Sequence, residues 1–250
     1  GWIVPPSLCA ANLAASGDRL TSRFGQSVAR IERTADLWRL LGPTGAEIAA
    51  APILILANGT GITAFPEAAA LPVVSARGQI SHLSAVAGSS PRVVVCRQGY
   101  VTPEIDGWRC AGASFQVDDP DSTLRQSDHA ENLAKIDFML PGHPGSAAIH
   151  APAGRVGFRP ASPDRLPMVG AVPRAERPDA SCPLEALPRQ PGLYAVSGFG
   201  ARGLVWSALM AEWLASSLSG DPLPFEHSLG AAIDPARYLL RPARQRVSDE

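Results

Sequence analysis

Residues 193–206 read LYAVSGFGARGLVW, a short apolar run that leads into three glycines with the spacing G-x-G-x-x-G. Beyond the glycines, apolar side chains recur at the i, i+3, i+4, i+7, i+8 spacing of an amphipathic helix, namely Trp206, Leu209, Met210, Trp213 and Leu214. The pattern predicts a strand, a glycine turn and a helix that ends near Gly220. Glycines allow a turn with positive φ and a close approach of the backbone, and the free N–H groups of the next helix then face a ligand.

The glycine spacing by itself leaves two interpretations open. A standard pyrophosphate-binding turn begins a βαβ unit and is followed about 20 residues later by an acidic residue. In this sequence Asp221-Pro222-Leu223-Pro224 follows the helix, and no second strand is evident after it. The turn is therefore either packed in a core, or it faces the edge of a flat ring such as flavin rather than a diphosphate.

The composition argues against several classes of protein. The 250 residues carry a net charge of −1, so bulk charge gives no sign of nucleic-acid binding. No two cysteines have C-x-x-C spacing, which argues against a zinc site or a redox dithiol and favours a reduced, cytoplasmic protein; they are Cys9, Cys96, Cys110 and Cys182. No apolar run reaches ~18 residues, so no membrane span is expected, and no metal site is predicted.

The two ends of the chain have features of their own. The chain begins with Gly1-Trp2-Ile3-Val4, which reads like the middle of a strand. No signal peptide is recognisable there, and we expect a fragment of a longer protein. Near the other end, arginines are concentrated at Arg237, Arg241, Arg244 and Arg246. Such a cluster is either a solvated tail or a contact for phosphate groups.

Hydrophobic periodicity predicts an α/β fold. The run from Ile53 to Ala57 is apolar at every position and ends in Asn58-Gly59, which is typical of a strand covered on both faces inside a parallel sheet. Open α/β sheets bind ligands at the carboxyl ends of such strands. Other elements predicted before residue 60 are a short helix at 8–15 and weak strands at 26–31 and 46–50.

The sequence pattern in the middle of the chain predicts an antiparallel sheet. Strand-like segments alternate there with Gly and Pro turns, at 73–83, 92–96 and 108–115. A helix is predicted at 124–140, because Ala130, Leu133 and Ile136 share one helical face. Residues 171–191 are rich in Pro and charge and predict a surface loop.

The chemistry-bearing residues give no sign of hydrolysis. No G-x-S-x-G, H-E-x-x-H or P-loop motif is present, and the histidines are scattered. Three arginines stand in glycine-rich or apolar surroundings: Arg77, Arg159 and Arg202. A guanidinium group in such a place can bind a carboxylate through two parallel N–H bonds. Each arginine alone is equally compatible with an ordinary ion pair.

Taken together, these motifs resemble the D-amino-acid oxidase and glycine oxidase superfamily. They are most similar to the FAD-dependent carboxy-terminal domain of the MnmC family, bifunctional enzymes of tRNA wobble-uridine modification. The segments that carry the resemblance are GWIVPPSLC at 1–9, RGQISH at 77–82, GASF at 112–115, GFRP at 157–160, PDRLPMVG at 163–170 and GFGARGLVW at 198–206. Those from 157 onward are the most specific.

The resemblance implies roles for individual residues. Arg159 is similar to the family residue that binds the substrate carboxylate, Tyr100 to a tyrosine that shares it, and Arg202 to a second arginine of the same pocket. The backbone that faces the flavin pyrimidine edge corresponds to Gly198, Phe199, Gly200, Ala201, Arg202, Gly203 and Leu204. Further flavin-proximal positions correspond to Ala57, Asn58 and Gly59, and to Arg77, Gly78 and Gln79.

The resemblance implies FAD as the cofactor and amine oxidation as the reaction. Hydride passes from the carbon beside nitrogen to the flavin, the imine hydrolyses, and no protein acid or base is required. In the MnmC family the amine is carboxymethylaminomethyl-uridine of tRNA, which loses glyoxylate to leave aminomethyl-uridine; a separate methyltransferase domain then methylates it. The alternatives are oxidation of free glycine or a small D-amino acid, and a flavin-free module with a binding or structural role.

The resemblance also predicts a division of the chain into three segments. Residues 1–60 are expected to be a partial substrate-domain and nucleotide-domain segment, and 61–170 the antiparallel substrate domain. Residues 171–250 are expected to return to the nucleotide-binding domain with the flavin-facing turn and helix. The family's pyrophosphate fingerprint and its ribose-binding acid are expected upstream of Gly1.

Overall fold

The computed structural model describes residues 2–84, 91–141, 153–175 and 182–240. The chain forms two compact units, and each is built from two separate stretches. Unit 1 contains Gly1–Leu20 and Ser75–Arg159, and unit 2 contains Thr21–Val74 and Pro160–Glu250. The assignment of three successive segments to substrate and nucleotide binding stays a prediction.

The regular elements are numbered in chain order. The α-helices are α1 (Pro5–Ser16), α2 (Gln126–Met139), α3 (Gly203–Ser219), α4 (His227–Ile233) and α5 (Arg237–Leu240). The strands are β1 (Arg30–Thr34), β2 (Leu37–Leu41), β3 (Glu47–Ala51), β4 (Leu54–Leu56), β5 (Val74–Ser84), β6 (Val95–Cys96), β7 (Tyr100–Val101), β8 (Trp108–Gly112), β9 (Gln116–Val117), β10 (Ala153–Ala161), β11 (Met168–Pro173) and β12 (Arg189–Ser197).

Unit 1 is an antiparallel sheet with one face covered by α2. The strand order is β10-β5-β8-β7-β6, and β9 pairs with β5. Leu83, Val101 and Ala111 point from three neighbouring strands onto Ile136 of α2, and these four side chains are almost fully buried. Side chains alternate between the faces of a strand, so the residues between them lie on the other face of the sheet. The helix predicted at 124–140 and the strand predicted at 73–83 are thereby confirmed.

Unit 2 is organised around β12, which has β11 antiparallel on one side and β4 parallel on the other. One face of β12 places Leu193 and Ala195 in a core with Trp38 of the antiparallel sheet β1-β2-β3. The side chain of Trp38 is 2% exposed, and its Nε1–H donates to the carbonyl of Pro191 at 2.9 Å. On the other face, Tyr194 and Val196 pack with Met210 of α3. The strand, glycine turn and helix predicted for 193–220 are confirmed.

The strand predicted at 53–57 is present as β4, but the expectation that both of its faces are covered is wrong for the described residues. Leu56 is 5% exposed, whereas Ile53 and Ile55 are 45% and 43% exposed. Ile55 pairs with Tyr194 and so lies on the α3 side of the sheet, where the described residues leave it partly open. This apolar strand therefore has one buried face and one face that is partly open among the described residues.

Two further predictions need correction. The segment 171–191 is only partly a loop, because β11 extends to Pro173 and β12 begins at Arg189; residues 176–181 lie outside the described part. Strand β2 was missed because Arg39 interrupts its apolar pattern, although Trp38 and Leu41 are buried. Among the described residues, no helix is long and apolar enough to cross a membrane.

The first arginine of the cluster near the end of the sequence, Arg237, is part of a buried ion pair. Arg237 is 4% exposed, and its Nε–H and Nη2–H donate to the two carboxylate oxygens of Asp164 at 2.9 and 3.0 Å. The phenol of Tyr238 donates to the same carboxylate at 2.6 Å. Interpretation as a tail or a phosphate contact is therefore wrong for Arg237, which is consumed by a buried ion pair; Arg241, Arg244 and Arg246 lie outside the described residues.

This ion pair changes the acidity of Asp164. Burial by itself would raise the pKa of the Asp164 carboxyl, but the hydrogen bonds from Arg237, Tyr238 and the Leu166 N–H outweigh burial and hold the pKa well below its usual range. A depressed pKa in the folded state stabilises the fold above the pKa of the unfolded chain. The ion pair is thus a source of stability that acid removes.

Asp164→Asn should lower the free energy of unfolding of the chain by about 3–5 kcal/mol, because it leaves the buried guanidinium of Arg237 without a counter-charge. In the unsubstituted chain, the stabilisation by Asp164 is complete above about pH 4 and is lost as the pH falls below that value. Urea denaturation at several pH values measures both effects. The matched control is Asp36→Asn, whose side chain is 97% exposed in a surface pair with Arg33; equal losses in the two variants would contradict the assignment.

Candidate functional site

The glycine turns of unit 2 meet at the carboxyl ends of two neighbouring parallel strands. Leu54 to Leu56 of β4 pair with Leu193 to Ala195 of β12, so Ala57-Asn58-Gly59 and Ser197-Gly198 leave the sheet side by side. The Ser197 hydroxyl donates to the carbonyl of Gly59 at 3.3 Å and links the two turns. The edge of an open α/β sheet at which ligands bind therefore carries both predicted glycine segments.

The turn after β12 requires glycine at two positions for different reasons. Gly198 has φ of 77°, and a Cβ atom there would lie 3.2–3.3 Å from Met168 and Ser162. Gly200 has φ of 56°, but a Cβ atom there would meet no atom within 4 Å. The first glycine is needed for packing and for its backbone conformation. The second keeps the backbone turned beside open space.

The amino terminus of α3 offers backbone donors at this turn. Its N-cap is Arg202, no side chain caps it, and its first turn holds no acidic residue. The first N–H groups of a helix have no partner within the helix, and they carry its positive dipole end. An uncapped helix start beside an open glycine turn fits the oxygen and nitrogen atoms at the edge of a flat heterocycle such as flavin.

The other members of this turn have different surroundings. Phe199 packs in the core beside α3, whereas Ala201, Arg202 and Leu204 are exposed. Nη2–H of Arg202 donates to the carbonyl of Arg165 at 3.3 Å. Arg202 belongs to unit 2, and its predicted role in binding the substrate carboxylate stays a prediction.

In unit 1, the guanidinium group of Arg159 lies against Gly78. A Cβ atom at Gly78 would overlap both terminal nitrogens of Arg159 and lie 2.5 Å from its Cζ, so only glycine leaves room for the group. Nη1 of Arg159 is buried and has no hydrogen-bond partner among the residues that the structure describes. A buried N–H donor without a partner costs on the order of 1–3 kcal/mol. The described residues therefore leave this donor free for an acceptor that is not among them.

Tyr100 is close enough to Arg159 for the two groups to influence each other. Burial raises the pKa of the Tyr100 phenol, the Cys110 thiol adds to this, and the positive charge of Arg159 opposes it. The net rise keeps the phenol protonated at neutral pH. A protonated phenol beside a guanidinium group, with one N–H that has no partner among the described residues, offers the donors that a carboxylate needs.

The side chains of Arg77 and Gln79 are hydrogen-bonded within unit 1, and the predicted position of this segment near the flavin stays a prediction. Arg77 is fully buried and directs all five of its N–H bonds to acceptors within unit 1, namely Asp121 O, Gln116 Oε1, Asp128 Oδ2, Gln79 Oε1 and Thr123 O. The amide of Gln79 accepts from Arg125 N–H and donates to Arg125 O, each at 2.8 Å. Their side chains are thus consumed by internal bonds, and only the backbone and Gly78 of this segment remain available to a cofactor.

The partners of Arg77 were not found from the sequence. Asp128 lies on α2, where His129 and Asn132 are also buried. His129 Nδ1 lies 2.7 Å from the Ser81 hydroxyl, and Asn132 donates to the Gln79 carbonyl at 3.0 Å. The sequence feature that could have indicated these contacts is the presence of three polar residues on the side of the helix that packs against the sheet. Among the described residues, no group of three or more His, Cys, Asp or Glu side chains is placed to hold a metal ion.

Comparison with known proteins gives the family. The model of the family described as "FAD dependent oxidoreductase" matches residues 1–217. The chain belongs to the FAD dependent oxidoreductase family. The uncapped start of α3 and the open glycine turns fit the cofactor that gives this family its name, and the α/β fold predicted from the sequence is confirmed.

Two relatives with high identity to the chain have the same name. The chain is 60% identical over 242 residues to the tRNA 5-methylaminomethyl-2-thiouridine biosynthesis bifunctional protein MnmC of Aromatoleum aromaticum, covering 97% of this chain and 38% of that protein. It is also 60% identical to the protein of the same name from Azoarcus sp., again covering 38% of it. The chain therefore spans a little over a third of the length of these relatives.

Two solved structures of oxidases share the fold. Iminodiacetate oxidase from Chelativorans sp. BNC1 is 25% identical with a TM-score of 0.67, over 88% of this chain and 56% of that one. Glycine oxidase from Geobacillus kaustophilus is 19% identical with a TM-score of 0.65, over 85% of this chain and 52% of that one. The second likeness shows the fold alone.

Gly78→Ala should weaken the binding of a carboxylate ligand about tenfold or more, because the added Cβ displaces the Arg159 guanidinium and a charged hydrogen bond is worth about 1.5–3 kcal/mol. The effect is measured as the change in the dissociation constant of a small carboxylate such as N-ethylglycine. Gly157→Ala is the matched control, since a Cβ there meets no atom within 4 Å. Equal affinities of the two variants would remove Gly78 and Arg159 from the site.

Proposed function

We propose that the chain is the amine-oxidising part of an enzyme that acts on carboxymethylaminomethyl-uridine at the tRNA wobble position. The reaction removes the carboxymethyl group as glyoxylate and leaves aminomethyl-uridine. The observation that carries the proposal is the buried Nη1 of Arg159, which has no partner among the described residues and lies beside Gly78 and Tyr100. The 60% identity to two proteins named for the biosynthesis of a modified tRNA uridine supports it.

Arg159 and Tyr100 would bind the carboxylate of the substrate's glycine-like end. The guanidinium neutralises the negative charge, and the protonated phenol of Tyr100 donates a further hydrogen bond. Both donors fix the carboxylate, so the adjacent carbon and nitrogen are oriented by one end of the molecule. Orientation of this kind is a substantial part of catalysis when the cofactor carries the chemical step.

The flavin-proximal residues are proposed to be Ala57-Asn58-Gly59, Gly78 and the turn from Gly198 to Leu204. The uncapped N–H groups at the start of α3 would donate to the pyrimidine edge of the ring, and the open face of Gly200 would admit it. Bound FAD would supply the acceptor for two electrons and a proton. The groups of this chain then need only bind and orient the amine, in agreement with the absence of a paired acid and base in the sequence motifs.

A second candidate is an oxidase of a free small amino acid such as glycine. The likeness to iminodiacetate oxidase favours it, because iminodiacetate is a secondary amine with a carboxymethyl group and would use the same carboxylate clamp. The identity to the MnmC proteins is much higher and covers 97% of the chain, which favours the tRNA substrate. A flavin-free module is the third alternative, and the visible spectrum of the purified protein with added FAD separates it from the other two.

The proposed substrate implies two further properties. The relatives are named bifunctional, and a methyltransferase activity in the same polypeptide would consume the aminomethyl product. A tRNA substrate places the activity in the cytoplasm, as the cysteine pattern predicts.

Arg159→Ala should raise KM for carboxymethylaminomethyl-uridine by on the order of 10- to 100-fold, because it removes a charged hydrogen-bond donor from the substrate carboxylate. Flavin content should stay unchanged. The measurement is glyoxylate release from tRNA that carries the modified base, with flavin absorbance determined in the same sample. Arg155→Ala is the matched control, since Arg155 is exposed on the same strand; absence of glyoxylate from the unsubstituted protein would refute the proposed reaction.

Gly200→Leu should reduce the retention of FAD at least tenfold, since its side chain fills the open space beside the start of α3. Equilibrium dialysis against FAD measures the change. Gly45→Leu controls for backbone strain, because Gly45 is also left-handed, with φ of 81° and no neighbour within 4 Å. Full retention of FAD by the Gly200 variant would show that the turn is only a packing element.

A further inference from the structure

A groove of about 310 Å³ crosses unit 1 on the sheet face away from α2. It is lined by His82, Thr102, Ile105, Trp108, Cys110 and Ala153. Among the described residues, the lining contains no lysine, arginine or carboxylate, so it suits a neutral group rather than a phosphate. Burial raises the pKa of the Cys110 thiol, which keeps that side chain uncharged as well.

The groove lies on the same sheet face as the Arg159 clamp. Ile80 pairs with Gly112, and Gly112 pairs with Tyr100 on the next strand. Two residues further along β5, His82 pairs with Cys110. Because residues two apart on a strand share a face, Gly78, Ile80 and His82 form one row that runs from the guanidinium of Arg159 to the groove.

The proposed substrate is long enough to extend from the carboxylate-binding groups into the groove. A carboxylate shared by Arg159 and Tyr100 would lie level with Ile80, because Tyr100 pairs with Gly112 and Gly112 pairs with Ile80. Ile80 and His82 are two residues apart, which corresponds to about 7 Å at a rise of roughly 3.3 Å per residue, and four bonds of about 1.5 Å join the carboxylate carbon to the uracil ring. The ring would therefore lie level with His82, facing Trp108, which pairs with Ser84 two residues further along β5.

Trp108 gives the groove a rigid aromatic wall. It closes a two-residue hairpin turn in which Asp106 and Gly107 have φ of 51° and 80°, and its N–H and carbonyl are both bonded to Ile105 at 2.9 and 2.8 Å. Such left-handed Asp-Gly turns hold a hairpin tightly. The Trp108 side chain is nevertheless 52% exposed, so its ring is available for stacking.

We propose that this groove is the subsite for the uracil base of the substrate, which stacks on Trp108 with His82 and Thr102 at its polar edge. The inference rests on the proposed function and extends it, because Arg159 recognises only the glycine-like end that any small amino acid shares. Proteins recognise unpaired bases by stacking them on aromatic side chains. Trp108 is thus the residue that distinguishes a modified nucleoside from a free amino acid.

The test compares two secondary amines on the full-length protein loaded with FAD. One is the carboxymethylaminomethyl-uridine nucleoside, and the other is N-ethylglycine, which has the same glycine-like end and no base. Trp108→Leu should raise KM for the nucleoside by on the order of 10-fold, as expected for a lost base–aromatic stack, and should change kcat/KM for N-ethylglycine by less than about 2-fold. Trp108→Phe should restore most of the nucleoside affinity, and calorimetric binding of the nucleoside should follow the same order.

Phe138→Leu is the matched control, because Phe138 is 45% exposed on α2, the helix that covers the opposite sheet face. It should affect neither substrate. Equal losses for both amines in Trp108→Leu, or no loss for the nucleoside, would overturn the subsite while leaving the proposed reaction standing. Failure of the unsubstituted protein to oxidise the nucleoside would instead refute the proposed function, and the subsite with it.

Discussion

The alternation of side chains along β5 determines how unit 1 is used. Arg77 and Gln79 point toward α2 and are held there by buried hydrogen bonds, whereas Gly78 between them faces the other way and leaves room for Arg159. A shift of one residue in register would exchange the two faces. It would bring the Arg77 side chain to the open face and a glycine to the core. The bonds of Arg77 thus fix the register on which the position of the Arg159 guanidinium beside Gly78 depends.

In unit 2, the groups at the carboxyl ends of the parallel strands are backbone groups rather than side chains. Because β4 and β12 are parallel neighbours, their glycine turns leave the sheet at the same edge, and the Ser197 hydroxyl joins them. The first turn of α3 adds N–H groups that the helix itself cannot satisfy. Donors fixed by the fold in this way need no reorganisation when a ligand arrives. The cost is that glycine conformations must be maintained at Gly59, Gly198 and Gly200, all with positive φ.

The sequence predicted the elements with strong periodicity and missed the contacts between distant segments. Helices α2 and α3 and the long strand β5 were identified because their apolar spacing is regular. The role of Arg77 was not, since its ion-pair partner Asp128 lies 51 residues further along the chain. The Asp164–Arg237 pair spans 73 residues, so the composition near the end of the chain suggested a basic cluster instead. The spacing of apolar residues predicts local structure. The pairing of charges that are distant in sequence depends on the packed fold and cannot be predicted from spacing.

The pairing of Asp164 with Arg237 also bears on how the protein is divided for study. Asp164 lies in the turn between β10 and β11, and Arg237 begins the short helix α5, so a cut between α3 and α5 separates a carboxylate from its partner. A piece that ended after α3 would retain every residue of the glycine turn and still bury an unbalanced negative charge. A truncated form that keeps this ion pair therefore has to extend beyond the family's matched region, which ends at residue 217, and include α5.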